Sequence, residues 1–144
     1  AVLSGDAQAK GSVLVIDEEG GWPAVSLVET LAANPDVSHV TVTTPERSLG
    51  EAALTLTWEI KSVAARLRED DGVTVLTEST VKDVKDSHAT LSNGEAIGPF
   101  DTIIINTGTA ANPVPDDALA VGDCVAPRGI WAATSDAAKL ARTL

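Results

Sequence analysis

The sequence predicts a three-layer α/β domain in which a parallel sheet carries helices and a small antiparallel meander. Three observations predict it. Val13–Asp17 and Asp101–Asn106 are apolar, β-branched runs of the kind buried on both faces of a parallel sheet. Amphipathic stretches of helical period separate the early strands. Between residues 80 and 100 the pattern turns to short alternating segments around Asn93-Gly94, a strong hairpin signal.

Residues 1–11 are small and polar and read as a linker into the first strand, Val13–Asp17. Pro23 suits the first turn of the following helix, where its missing N–H is no loss, and Val25, Leu27, Val28 and Leu31 give that helix an apolar stripe. Asn34-Pro35 ends it. Val37–Thr43 is the second strand, parallel to the first because a helix lies between them. Residues 55–70 follow helical spacing through Leu56, Ile60, Val63, Ala64 and Leu67, and Asp70-Asp71-Gly72 stops that helix before the strand Val73–Thr77. Thr80–Lys85, His88–Ser92 and Glu95–Phe100 form the meander, which feeds the buried strand Asp101–Asn106. After the Pro-rich, acidic loop Ala110–Asp117 come LAVGDCVAPRG and a final helix through Ile130, Ala133, Ala137, Leu140 and Leu144.

The stretch VLVIDEEGGWPAVSLVETL, Val13 to Leu31, has the strand, turn and helix that open a dinucleotide-binding unit, so the fold is Rossmann-like and of the NAD(P)-binding type. The turn departs from that pattern. Its three glycine positions fall on Asp17, Glu19 and Trp22, with Gly20 and Gly21 lying between the required places. A carboxylate about 6 Å from a phosphate costs on the order of 3 kcal/mol at an effective dielectric near 20. Asp17, Glu18 and Glu19 therefore oppose pyrophosphate binding, and are left to cap the helix and complement its dipole. A receiver-like phosphorylation site needs a further Asp at the end of the third strand, where this chain has Glu78 after Val73–Thr77.

At 144 residues the chain fits one domain with a sizeable core. Ten Lys and Arg stand against 21 acids, a net charge of -11, which argues against nucleic acid or an anionic membrane as partner. No apolar run reaches the roughly 20 residues of a membrane span and no signal peptide opens the chain, so a cytoplasmic location is expected. Cys124 stands alone, which excludes an internal disulfide and an iron–sulfur cluster held by this chain only. The absence of Met means that an initiator has been removed or that the chain begins inside a longer polypeptide.

In order, β-α-β, helix, strand, meander, strand, Thr107-Gly108 and Gly122-Asp123 resemble the second pyridine-nucleotide domain of flavoprotein disulfide reductases. Nearly the whole chain more closely resembles the C-terminal part of the trimethylamine dehydrogenase and 2,4-dienoyl-CoA reductase family, relatives of old yellow enzyme. The degraded turn, DTIIINTGTAANP and VGDCVAPRGIWAATSDAAKLARTL carry the match, the last most specifically. The resemblance implies an enzyme with FMN in an N-terminal barrel, a 4Fe–4S cluster, and two interleaved nucleotide-type domains. It implies that residues 12–107 are the NAD-like domain and that 108–144 hold the loop, Gly-Asp motif and helix that return to an FAD- or ADP-binding domain. The barrel and that domain are the expected partners, on another chain or removed from this one, and a homo-oligomer is the other assembly allowed. Cofactors are therefore expected to be shared: ADP or FAD at the Gly-Asp motif, FMN and the cluster elsewhere. In trimethylamine dehydrogenase-like members the turn is degenerate and the domain a scaffold; in dienoyl-CoA reductase-like members it takes NADPH.

Four residues are the resulting site candidates. The resemblance places Asp123 by the ribose, pyrophosphate or ribityl group of the nucleotide, with Gly122 allowing close approach; a cap on the following segment is the other reading. Arg128 either pairs with a phosphate or Asp123, or makes a surface ion pair. Gly108 lines the crossing between domains or serves a tight turn. Trp22, Trp58 and Trp131 read as core or interface aromatics, with Trp22 and Trp131 suited to a docking face. His39 and His88 have no nucleophile or metal-ligand spacing nearby, and no set of residues supports nucleophilic, acid–base or metal chemistry by itself. The chain thus reads as scaffold of an oxidoreductase; an NAD(P)H-binding domain and a non-catalytic interaction module are the alternatives.

Overall fold

Strand β1 (Gly11–Asp17) is the centre of the fold, and Val13, Leu14 and Val15 on its two faces are wholly buried. The computed structural model describes residues 5, 7–53 and 58–143. They fall into two compact units, 1–107 and 108–144.

In the first unit β1 leads through helix α1 (Trp22–Ala32) to β2 (Val37–Thr43), and then through a single 3-10 turn (Glu51–Ala53) and helix α2 (Glu59–Arg68) to β3 (Val73–Leu76). Three short strands follow, β4 (Val81–Lys85), β5 (His88–Leu91) and β6 (Ala96–Ile97), before β7 (Thr102–Asn106). The main sheet has the order β3-β2-β1-β7 and every pairing in it is parallel. The antiparallel sheet β4-β5-β6 is separate.

Strand periodicity sorts the core onto the two faces. Val13, Val15, Val40 and Val42 pack with Val25, Val28 and Leu31 of α1 and with Ile60 and Leu67 of α2. Leu14 and Ile16 pack with Ala89 and Phe100 on the side of the meander. Helices, parallel sheet and meander are thus three layers. Each wholly buried aliphatic side chain contributes about 1.5–3 kcal/mol.

Several boundaries differ from the sequence reading. The strand begins at Gly11, inside the expected linker, because Gly11 N–H donates to Asp36 O at 2.8 Å and Ser12 N–H to Asp101 Oδ2 at 2.9 Å. Residues 1–4 and 6 of that linker, and 55–57 of the expected helix 55–70, lie outside the described residues. The described part of that helix is capped at Trp58 and Glu69. The expected buried strand Asp101–Asn106 loses Asp101, whose side chain secures β1, and among the described residues it lies at a sheet edge beside β1. Ile105 is accordingly 58% exposed. The third meander piece shrinks to two residues, because Pro99 has no N–H to offer a ladder. The Asn93-Gly94 hairpin forms, with Gly94 at φ +89 and Leu91 N–H donating to Glu95 O at 2.8 Å.

The described residues of the second unit form one 3-10 turn (Gly122–Cys124) and helix α3 (Ile130–Leu140). The helix stops short of the expected Leu144, which lies outside the described residues. Only Ala132 of α3 is buried, while Ile130 and Trp131 are 84% and 77% exposed.

Candidate functional site

Asp17 closes β1 and is 2% exposed. Its Oδ1 accepts the N–H of Glu19 at 3.1 Å, the N–H of Gly20 at 3.0 Å and the Asn106 Nδ2–H at 3.0 Å. Parallel pairing sets Asp17 opposite Asn106 at the end of β7, and Glu18 N–H donates to Asn106 O at 3.0 Å. The turn therefore closes on a carboxylate of its own chain. In a nucleotide-binding turn the bare backbone N–H groups at this place hold an anion; here Asp17 takes two of them.

Space over the turn is also used. Gly20 has φ +66, and a Cβ on it would lie 2.7 Å from Glu46 Cγ and 3.3 Å from Ala52 Cβ. Ala52 N–H donates to Gly20 O at 3.0 Å, so the segment after β2 is fastened to the turn. This arrangement opposes a pyrophosphate: the N–H groups of Glu19 and Gly20 are engaged, the approach over Gly20 is closed by Glu46 and Ala52, and the local charge is negative. The acids do not cap α1 as the sequence suggested. Its N-cap is Gly21 with no side-chain cap, and its first turn holds no acid. Asp17 caps the turn before the helix instead.

In the second unit, Asp123 Oδ1 accepts the N–H of Arg128 at 2.9 Å and of Gly129 at 3.0 Å. These backbone donors, Arg128 first and then Gly129, hold the Asp123 carboxyl below its ordinary value, with the Arg128 charge a smaller cause. Asp123 is thus an ionised clamp on the loop that starts α3, the capping role. Gly122 has φ +67, and a Cβ on it would lie 2.6 Å from Ala133 Cβ. Its close approach is to α3. The Arg128 guanidinium pairs with Asp136 Oδ2 at 2.5 Å, the surface ion pair, while toward the Asp123 side chain Arg128 offers its backbone N–H. Asp123 and Cys124 share a recess of about 200 Å³ with Thr109, Ala110, Asn112 and Pro127. Gly108, exposed and at φ +86, is not among its lining residues.

Other residues singled out by sequence fall outside any site. Trp58 is 75% exposed rather than core, with Lys61 Nζ 4.2 Å from its ring centroid; Trp22 is half-buried against the helix-side core. His39 Nε2 meets Thr74 Oγ1 at 2.9 Å and His88 Nδ1 meets Asp86 O at 2.8 Å, both local structural contacts. Among the described residues no three His, Cys, Asp or Glu group as a metal site, and no helix is long and apolar enough to cross a membrane. Sequence reasoning missed Asn106 and the clamp it forms with Asp17. The available signal was that two adjacent apolar strands each end in a polar residue, VLVID and TIIIN.

Histamine dehydrogenase from Rhizobium sp. 4-9 superposes on 92% of this chain with a TM-score of 0.72 and 19% identity. The chain has the fold of part of that enzyme. The 6-hydroxypseudooxynicotine amine oxidase of Pseudomonas geniculata N1 matches 96% of it, with a TM-score of 0.74 and 21% identity. The chain spans 23% of the length of each of these two proteins. An NAD-dependent persulfide reductase from A. fulgidus matches 76% of the chain with a TM-score of 0.53 and 28% identity, and the chain spans 19% of it. These neighbours are oxidoreductases, and the Rossmann-like α/β fold expected from sequence is the one observed. No protein-family profile matches the sequence, and no curated protein does.

Proposed function

We propose that this chain is the C-terminal domain, or a small subunit, of a cytoplasmic flavin- and iron–sulfur-dependent oxidoreductase of the amine dehydrogenase or dienoyl-CoA reductase type. In that enzyme FMN and a 4Fe–4S cluster belong to the remainder, and this chain supplies scaffold and one wall of an ADP or FAD site. The observation that carries the reading is coverage. The match to the two amine-oxidising enzymes runs through 92–96% of the chain and so includes residues of both units, while that to the persulfide reductase takes in 76%.

The first unit supports a scaffold role because its turn closes on Asp17 and offers no cradle to a pyrophosphate. The second unit supports a shared site less directly. Asp123 spends Oδ1 on the loop, which leaves Oδ2 at an exposed residue as the acceptor for a ribose or ribityl hydroxyl. In this reading Gly122 brings α3 against that loop, Arg128 braces α3 through Asp136, and Gly108 is the turn at which the chain leaves the NAD-like unit.

The test is native mass spectrometry with an absorption spectrum on material purified from its own source without denaturant. Co-purification with the flavin and cluster, on larger chains or in one longer polypeptide, is the expected result. A colourless 14.8 kDa species that binds neither ADP nor FAD would overturn the reading and leave a non-catalytic interaction module.

A further inference from the structure

We infer that Asn93 is a site of spontaneous covalent modification, losing ammonia through a succinimide to give isoaspartate and aspartate at the tip of the β5–β6 hairpin. This goes beyond the proposed role and stands independently of it.

The reaction needs an asparagine amide carbon beside a backbone nitrogen that can lose its proton and be approached. Asn34 and Asn112 each precede proline, which has no N–H. Asn106 precedes Thr107, whose branched side chain crowds the nitrogen. Its own amide is half-buried and donates to Asp17 Oδ1 at 3.0 Å. Asn93, the remaining asparagine, precedes Gly94. Both residues are exposed, and nothing lies within 4 Å of the place a Cβ on Gly94 would take.

The turn favours the reaction in one respect and slows it in another. Asn93 Oδ1 accepts the Glu95 N–H at 2.9 Å, which polarises the amide carbonyl and steadies the negative charge that gathers on Oδ1 during attack. The leaving nitrogen, Nδ2, meets Glu95 Oε2 at 3.5 Å, too far to hold it firmly. Gly94 N–H, however, donates to Leu91 O at 2.9 Å, so the nitrogen gives up its proton only when the tip opens. An exposed hairpin tip opens at low cost.

Once the tip is open, hydroxide takes the Gly94 amide proton and the nitrogen attacks Asn93 Cγ. The Cγ–Nδ2 bond breaks, and Nδ2 leaves as ammonia with a proton from water, which restores the hydroxide. Water then opens the ring. Cleavage at Cγ–N gives aspartate; cleavage at the backbone carbonyl gives isoaspartate, with one more carbon in the backbone. That extra carbon falls between Leu91 and Glu95, whose N–H and carbonyl pair at 2.8 Å across the turn.

The experiment incubates the full chain, folded or unfolded in guanidinium chloride, at neutral and mildly alkaline pH, and maps peptides by mass spectrometry with fragmentation that separates isoaspartate from aspartate. Both products are expected at Asn93, forming faster at alkaline pH and severalfold faster in the unfolded chain, with total deamidation falling to background in Asn93→Gln. As isoaspartate accumulates in the folded chain, the Leu91 and Gly94 amide resonances should gain a second set of positions. Conversion at Asn93 no greater than at Asn106 or Asn112, aspartate without isoaspartate, or equal rates in folded and unfolded chains would overturn the inference. Since the parent chain alone gives these rates and products, the outcome does not depend on whether Asn93→Gln folds.

Discussion

Replacing Asp17 by Ala tests whether its carboxylate holds the turn together. The substitution removes the acceptor for three donors. Glu19 is exposed, so water replaces its partner; Gly20 is buried and Asn106 half-buried, so two donors are stranded. At about 1–3 kcal/mol for each stranded donor, the loss is about 4 kcal/mol. Removing the partnerless Oδ2 returns roughly 1–2 kcal/mol of that, by the same reasoning about unsatisfied buried groups. The net destabilisation is about 2–3 kcal/mol, a large share of the 5–15 kcal/mol typical of a domain. Asp17→Asn keeps the Oδ1 acceptor and should cost only about 1 kcal/mol, the difference between a charged and a neutral acceptor. The assay is urea unfolding followed by far-ultraviolet circular dichroism, where at a slope near 1.5 kcal/mol/M the Asp17→Ala midpoint falls by roughly 1–2 M. An Asp17→Ala midpoint within about 0.3 M of the parent, a change of about 0.5 kcal/mol at that slope, would refute the clamp.

Gly122→Ala should destabilise the second unit by about 1–3 kcal/mol, since the new Cβ meets Ala133 Cβ at 2.6 Å from a φ of +67; loss of helical signal on mild heating reads it. Asp123 should titrate below the ordinary carboxylate range, visible in the Arg128 and Gly129 amide shifts and abolished in Asp123→Asn. The sign follows from linkage: the folded value is depressed, so the clamp's contribution is complete above the ordinary value of 3.8 and is lost as pH falls through the depressed one. Leu14→Ala, at a wholly buried position between β1 and the meander, should cost about 2–5 kcal/mol in denaturant unfolding. Arg66→Ala breaks the exposed ion pair with Glu29 and should change stability by less than about 1 kcal/mol in the same assay.

The layers were legible in the sequence because burial on a strand has period two and burial on a helix has period 3.6. Val13–Asp17 and Val37–Thr43 announced a parallel pair, and Asn93-Gly94 announced its hairpin. Edges were less legible. DTIIIN has the composition of a central strand, yet among the described residues β7 has one neighbour and exposes Ile105, because sheet order depends on contacts distant in sequence. The acidic turn was legible as a departure from a nucleotide site, but not in its workings. That the Asp17 carboxylate turns inward to Glu19, Gly20 and Asn106 depends on an Asn 89 positions away, brought alongside only by the β1–β7 pairing. Gly122 and Asp123 were found by resemblance to a motif, and the structure gives each a local duty toward α3 that a motif alone does not reveal.

Two backbone donors of this Rossmann-like turn, the N–H groups of Glu19 and Gly20, are occupied from within by Asp17. The most direct test is an NADH and NADPH titration of the chain, followed through the Glu19 and Gly20 amide resonances. No saturable shift of either amide is expected up to millimolar nucleotide. A saturable shift at both, with nucleotide bound in a one-to-one ratio, would contradict it and make the first unit a working pyridine-nucleotide domain.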